Sequence, residues 1–130
     1  RSSFKAKAES HRLCRGKQQA DYDASMMCLK YLTAVKSNRT LLCNRESLTQ
    51  SASDLVALCA PTVREPVGMW LEDMVQTFRT RYTQWTKENH ECEEAEKVIP
   101  GQESKCNIAA SALHQREEQC GRELDSVESF

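Results

Sequence analysis

The chain contains 130 residues, of which 39% are apolar, 6% are aromatic and 28% are charged, with a formal net charge of -1. These values predict a single domain with one modest core. They exclude a membrane span, because no apolar run approaches the roughly 18 residues that a bilayer helix needs. They also argue against a nucleic-acid partner, since such proteins usually carry a basic excess.

Helical periodicity dominates the sequence and predicts an all-α fold. The first helix is predicted over residues 4 to 36, and the second over residues 44 to 60. Ala60-Pro61 ends the second helix, because a proline disfavours the helical conformation of the residue before it.

The third predicted helix is the most regular, with apolar residues at steps of three and four from Val67 to Cys92. Thr62 and Glu65 have the spacing of a capping box at its start. Pro100-Gly101 predicts its end, and a fourth helix is predicted from Ser104 to about residue 127.

Seven cysteines indicate disulfides and therefore an oxidising compartment, since none has the Cys-x-x-Cys spacing of a zinc or thioredoxin-type site. No apolar signal segment begins the chain, so we expect a mature or trimmed secreted protein. Asn38-Arg39-Thr40 is a glycosylation acceptor. We expect Asn38 to lie in an exposed loop between the first two helices.

The spacing of the cysteines constrains their pairing. Neighbouring cysteines within each half are 14 to 16 residues apart, and fourteen helical residues span about 21 Å. A disulfide requires Cα atoms within about 7 Å, so partners come from different helices. Turns near Asn38 and at Pro100-Gly101 then favour three bridges, which are Cys14 with Cys59, Cys28 with Cys43, and Cys92 with Cys106.

These bridges predict two disulfide-clamped antiparallel helical hairpins, about residues 4–60 and 63–127, packed as an elongated four-helix assembly. A rival pairing of Cys14 with Cys28 requires a turn at Ala20-Asp21. Cys120 is left over, as a buried free thiol, as an intermolecular bridge in a homodimer, or as a cysteine whose partner lies outside this chain.

Two further features of the sequence bear on function. Trp70, Phe78, Tyr82 and Trp85 share one helical stripe, which either packs in the core or, with Met26, Met27, Met69 and Met74, lines a tunnel for a small apolar ligand. An acidic stretch from Glu88 to Glu96 is typical of a solvated helix face, and could also orient a partner.

No catalytic, cofactor or metal site is predicted. The histidines, His11, His90 and His114, stand in no hydrolase or metalloprotease motif. We therefore expect a secreted, non-enzymatic glycoprotein that acts on a protein receptor as an extracellular signal or recognised cue. Recognition would use its helical surface and the C-terminal segment 121–130. The alternative is a carrier of a small apolar ligand between the hairpins, and the third hypothesis is a defence toxin or protease inhibitor.

Overall fold

The structure, a computed structural model, describes the backbone of residues 2–128 and the side chains of residues 4–124. Over this range the chain forms four helices and no strand, which confirms the all-α prediction. The helices are α1 (Ser2–Cys43), α2 (Glu46–Thr49), α3 (Ala52–Leu58) and α4 (Val67–Glu128).

The chain divides into two compact units. Unit 2 is the continuous stretch Lys36–Lys97, and unit 1 combines the described residues on either side of it. Unit 1 therefore contains most of α1 and the second half of α4. Unit 2 contains the end of α1, both short helices and the first half of α4.

Unit 1 is an antiparallel pair of helices with a coiled-coil repeat. Its buried and half-buried positions alternate in steps of three and four, which is the 3.5-residue period that keeps one seam facing a partner helix. From Cys14 to Cys120 these positions are Cys14, Gln18, Asp21, Ser25, Cys28, Leu32 and Val35 on α1, and Ile99, Gln102, Cys106, Ala109, Leu113, Arg116 and Cys120 on α4. At the open end of the pair, Ala8 and His11 on α1 and Gly121, Glu123 and Leu124 on α4 are also half-buried.

Two disulfides cross the seam of unit 1. Cys14 is bonded to Cys120 with Cα atoms 5.6 Å apart, and Cys28 is bonded to Cys106 with Cα atoms 5.4 Å apart. Fourteen residues separate the two cysteines on each helix, so a single antiparallel register satisfies both bridges. The seam is otherwise poor in large apolar side chains, and the buried Ser25 and Gln102 lie in it.

The third disulfide joins Cys43 to Cys92 within unit 2, with Cα atoms 4.8 Å apart. The predicted pairs Cys14–Cys59, Cys28–Cys43 and Cys92–Cys106 are therefore wrong, as is the rival pair Cys14–Cys28. Cys120 is not the unpaired cysteine. The free thiol belongs to Cys59, which is buried.

The pairing is wrong because the predicted turns do not form. α1 continues through Asn38 to Cys43, and α4 continues through Pro100 and Gly101 without ending. A proline inside a helix removes one hydrogen bond and costs about 3 kcal/mol. Tertiary contacts directly after Pro100 offset this cost, since the Gln102 amide donates to the Cys28 carbonyl oxygen at 3.4 Å and the Cys28–Cys106 bridge follows.

The two-hairpin arrangement is likewise not observed. The segment predicted to pair with the first helix, residues 44 to 60, forms only the short helices α2 and α3. The helix predicted to begin at Ser104 is the second half of α4. In unit 1 the partner of α1 is therefore the far end of the chain, and not its nearest neighbour in sequence.

Candidate functional site

The candidate site lies in unit 2, where α3 packs on the first half of α4. Ser51 caps α3, because its side chain accepts a hydrogen bond from the Asp54 backbone N–H at 3.1 Å. Seven residues make a helix too short to be stable alone, so α3 depends on packing against α4. Ala52, Leu55 and Val56 are the apolar residues that α3 contributes to the site.

The connection between α3 and α4 is held by polar contacts. The Trp70 indole Nε1 donates to the Cys59 carbonyl oxygen at 3.1 Å, which fastens the end of α3 to the first turn of α4. Glu65 accepts from the Thr62 backbone N–H at 3.1 Å. This hydrogen bond is one of the two that the predicted capping box requires. It lies in a turn that precedes α4, because α4 begins only at Val67.

These elements enclose an open cavity of about 570 Å³, which we call the apolar cleft. Apart from the thiol of Cys59 and the Trp70 indole N–H, the side chains that line it carry no polar group. They are Val56, Cys59, Ala60, Pro61, Trp70, Leu71, Met74, Val75 and Phe78. The volume lies within the range of about 300 to 1,000 Å³ that is typical of small-molecule sites.

A second cavity of about 420 Å³ adjoins the first, and Phe78 lines both. We call it the arginine cleft, because Arg81 is the only charged residue in its lining. The other lining residues are Ser47, Gln50, Ser51, Ala52, Leu55, Phe78, Tyr82, Gln84 and Trp85. Tyr82 and Trp85 stack with ring centroids 6.4 Å apart.

Arg81 has no acidic partner among the described residues. Its Nη1 donates to the Gln50 side-chain oxygen at 3.4 Å, and none of the ion pairs in the described part of the chain includes it. Arg81 as a whole residue is half-buried. The arrangement places an uncompensated positive charge beside an apolar cavity.

The acidic side chains of the stretch Glu88 to Glu96 largely form ion pairs or hydrogen bonds within unit 2. Arg45 lies 3.3 Å from Glu91 and 3.8 Å from Glu88, and Arg39 lies 3.5 Å from Glu96. A hydrogen bond from the Ser47 hydroxyl is the main cause that lowers the pKa of Glu88 below its usual value, and it outweighs the opposing effect of partial burial. These contacts hold the chain after α1 against α4, beside the arginine cleft.

The structure brings together only part of the predicted apolar tunnel. Trp70, Met74 and Phe78 line the apolar cleft, whereas Tyr82 and Trp85 line the arginine cleft. Met26 and Met27 belong to unit 1, where their side chains are exposed, and Met69 is exposed in unit 2. The tunnel between two hairpins is therefore not the observed site.

The sequence analysis missed two contributors to the site. One is the short α3 with its following Ala60-Pro61, which supplies the second wall of the apolar cleft. The available signal was an apolar segment directly before the aromatic stripe. The other is Arg81, one of two arginines between Phe78 and Trp85, and the one that lines the arginine cleft.

Asn38 lies on the exposed surface of α1 in unit 2, and not in the predicted loop. The Thr40 hydroxyl donates to the Lys36 carbonyl oxygen at 3.1 Å, one helical turn earlier. The predicted recognition segment 121–130 continues α4 as far as Glu128, and its last two residues lie outside the described structure.

One group of potential metal ligands occurs among the described residues. Cys43, Cys92 and Glu96 bring their ligand atoms within 4.8 Å of one another. The two sulfur atoms are bonded to each other, so in this state neither supplies the thiolate that a metal requires.

Compared with protein-family models, with curated proteins and with solved structures, the chain shows no significant similarity to any of them. None of the described helices has a segment long and apolar enough to cross a bilayer.

Proposed function

We propose that this chain is a non-enzymatic extracellular protein that carries a small apolar ligand in the apolar cleft. The observation that carries the proposal is the cleft itself, a cavity of about 570 Å³ walled by apolar side chains of α3, α4 and the loop between them. This was the alternative function in the sequence analysis, and the geometry of unit 2 favours it over the leading one.

The three disulfides support an extracellular location, because such bonds persist in oxidising compartments and are rare in the cytosol. A carrier that is released into dilute fluid also benefits from covalent bridges, since they limit unfolding. Glycosylation of Asn38 is part of the same proposal. A drop in intact mass after glycosidase treatment of the natural protein supports it, and an unchanged mass at the unmodified value contradicts it.

The energetics define the size of ligand. Each buried methylene contributes about 0.8 kcal/mol, and micromolar affinity corresponds to about 8 kcal/mol. Association also costs several kcal/mol in lost freedom of motion. With an association cost of about 4 kcal/mol, a ligand must bury about fifteen methylenes or an equivalent aromatic and polar contact surface, and a cavity of this size accommodates such a molecule.

The test is a titration with the fluorescent apolar probe N-phenyl-1-naphthylamine, followed by displacement with alcohols and esters of increasing chain length. We expect saturable micromolar binding by the wild-type protein. Met74→Gln places a polar amide in the cleft and is expected to weaken probe binding about tenfold. Met27→Gln is the matched control on the exposed surface of unit 1, and it should bind like wild type.

The absence of saturable binding contradicts the carrier function. Equal weakening by Met74→Gln and Met27→Gln also contradicts it, because the probe then does not occupy the cleft. Circular dichroism of each variant verifies that the helices are retained.

The second candidate function is that of an extracellular signal that binds a protein receptor. It is favoured by the exposed apolar side chains on unit 1, where Met27 is 66%, Ile108 67% and Leu13 58% exposed. Exposed apolar residues are common on soluble proteins and indicate an interface only when they form one large patch. A receptor ligand would keep its activity in the Met74→Gln variant and lose it when Met27 and Ile108 are replaced by polar residues.

A further inference from the structure

We infer that the occupant of the apolar cleft is a single-chain amphiphile with a carboxylate, of the fatty-acid class, whose chain lies in the apolar cleft and whose carboxylate binds Arg81. This inference rests on the proposed carrier function and names the class of its ligand. Three features support it, which are the charge of Arg81, the junction of the two clefts at Phe78, and the distance between the clefts along α4.

The first step is the charge of Arg81. A half-buried arginine normally pairs with a carboxylate, because burial of an unpaired charge is unfavourable. In the described structure Arg81 has only the neutral Gln50 amide as a partner, and no acid lines the arginine cleft. The guanidinium therefore retains donors for an external carboxylate, which it binds with charge-assisted hydrogen bonds.

The second step is the junction of the two clefts. Phe78 lines both, so the two cavities meet at this side chain and the apolar cleft lies next to the cavity that contains Arg81. The helical rise of about 1.5 Å per residue separates Met74 from Arg81 by about 10 Å along α4. A molecule that fills both sites is therefore elongated, with an apolar body and one anionic end.

The third step is the difference in polarity between the two cavities. The apolar cleft contains no side chain that would solvate a charge, whereas the arginine cleft contains Arg81, the amide NH2 of Gln50 and the hydroxyl of Ser51. The Ser47 hydroxyl and the Gln84 amide also line it, but both donate to Glu88. A carboxylate in the apolar cleft would lose its hydration without compensation. The amphiphile therefore binds in one orientation, with its chain in the apolar cleft and its carboxylate in the arginine cleft.

The experiment compares laurate with its neutral relatives methyl laurate and lauryl alcohol, each displacing N-phenyl-1-naphthylamine. We expect wild-type protein to bind laurate about three- to tenfold more tightly than methyl laurate, and this preference to decrease with added salt. Arg81→Gln should remove the preference and leave the affinity for methyl laurate unchanged. Arg81→Lys should restore part of it, since the positive charge is kept.

Arg79→Gln is the matched control, because Arg79 lies on the same helix, is exposed and lines neither cleft. It should preserve the preference for laurate. A second readout is alkylation of Cys59, whose thiol lies in the wall of the apolar cleft. Bound laurate should slow its modification in the wild-type protein, and methyl laurate at saturation should slow it equally.

Three results overturn the inference, and they are distinguishable. If laurate and methyl laurate bind equally to wild type and to Arg81→Gln, the carrier function stands and the carboxylate does not contact Arg81. If no ligand displaces the probe, both the inference and the carrier function are wrong. If the protein sediments as a dimer that Met74→Gln dissociates, a second copy of the chain occupies the cleft.

Discussion

Units 1 and 2 differ in how they use their side chains. The seam of unit 1 buries cysteines, a serine and a glutamine, and two disulfides cross it. Unit 2 has one disulfide, and its aromatic and branched side chains surround a cavity. Covalent bridges can therefore replace apolar packing in a region that needs only rigidity, while a binding region keeps its apolar surface accessible.

The polar character of the unit 1 seam is also evident from its unsatisfied groups. Among the described residues, the His11 Nδ1 atom and one oxygen of Glu123 are buried without a hydrogen-bond partner. Such groups reduce the stability of a helix pair. We therefore expect unit 1 to depend on its disulfides more strongly than unit 2 does.

Reduction of the disulfides should have the largest effect on stability. The chain-entropy model assigns about 4 to 5 kcal/mol to each bridge in isolation, and less than the sum to the three together, because each is nested in sequence inside the next. In hydrogen exchange with mass spectrometry, reductant should remove protection from the helices of unit 1 before it removes protection from α3 and the first half of α4. Earlier loss in unit 2, or simultaneous loss in both units, contradicts the comparison.

Loss of the ion pair in the seam should have the next largest effect. Arg116 Nε lies 3.2 Å from the Asp21 carboxylate, and both side chains are about 30% exposed. Arg116→Ala leaves Asp21 without its partner and should lower the free energy of unfolding by about 1 to 2 kcal/mol. Arg12→Ala, which breaks an exposed pair with Glu9 in the same unit, should change it by less than about 0.5 kcal/mol. Chemical denaturation of both variants measures the difference, and equal effects would show that the seam pair is no stronger than a surface pair.

In unit 2 the connection between α3 and α4 should depend on the indole of Trp70. Trp70→Phe keeps an aromatic ring but removes the hydrogen bond to the Cys59 carbonyl oxygen, and should cost about 1 kcal/mol in the free energy of unfolding. Trp85→Phe is the control, because the contact of Trp85 in the arginine cleft is ring stacking with Tyr82, and not a hydrogen bond from the indole N–H. A larger loss for Trp85→Phe would refute the role of Trp70 as the fastening contact.

Acid should have the smallest of these effects, and it should act on unit 2 through Glu88. Because its pKa is lowered in the folded protein, its contribution is fully present above the usual glutamate pKa, and it is lost as the pH falls through the lowered value. Glu88→Gln should therefore reduce stability slightly at neutral pH and make no difference at the acid end of the titration. An undiminished difference at low pH would assign the contribution to something other than the charge of Glu88.

The sequence allowed several elements of this comparison to be predicted. The stripe from Val67 to Cys92 correctly indicated a helix, and its Trp70 and Phe78 do line the cleft. The continuity of α4 was not predictable by local rules, because Pro100-Gly101 has the composition of a turn, whereas the contacts that join the following turn to α1 are distant in sequence. Asn38 is exposed, as predicted, but its place inside α1 was missed, because a turn was assumed after residue 36 and the helix continues to Cys43.

The cysteine pairing was the most informative error. The predicted pairs gave each hairpin a register that agreed with a turn, near Asn38 or at Pro100-Gly101, but the chain is helical at both places. The intervals Cys14 to Cys28 and Cys106 to Cys120 are equal, as two antiparallel helices bridged twice require. This signal was present in the sequence. The cleft was less accessible, because it depends on how the short α3 packs, which periodicity does not determine.

The four methionines allow the most direct test of the central claim, that ligand binds in the cleft of unit 2. Met74 lines the apolar cleft, whereas Met26 and Met27 are exposed on unit 1, and Met69 is exposed outside the cleft lining. In a spectrum of the protein labelled at its methionine methyl groups, laurate should shift the Met74 resonance and leave those of Met26 and Met27 in place. Shifts of Met26 and Met27 with Met74 unmoved would contradict the account.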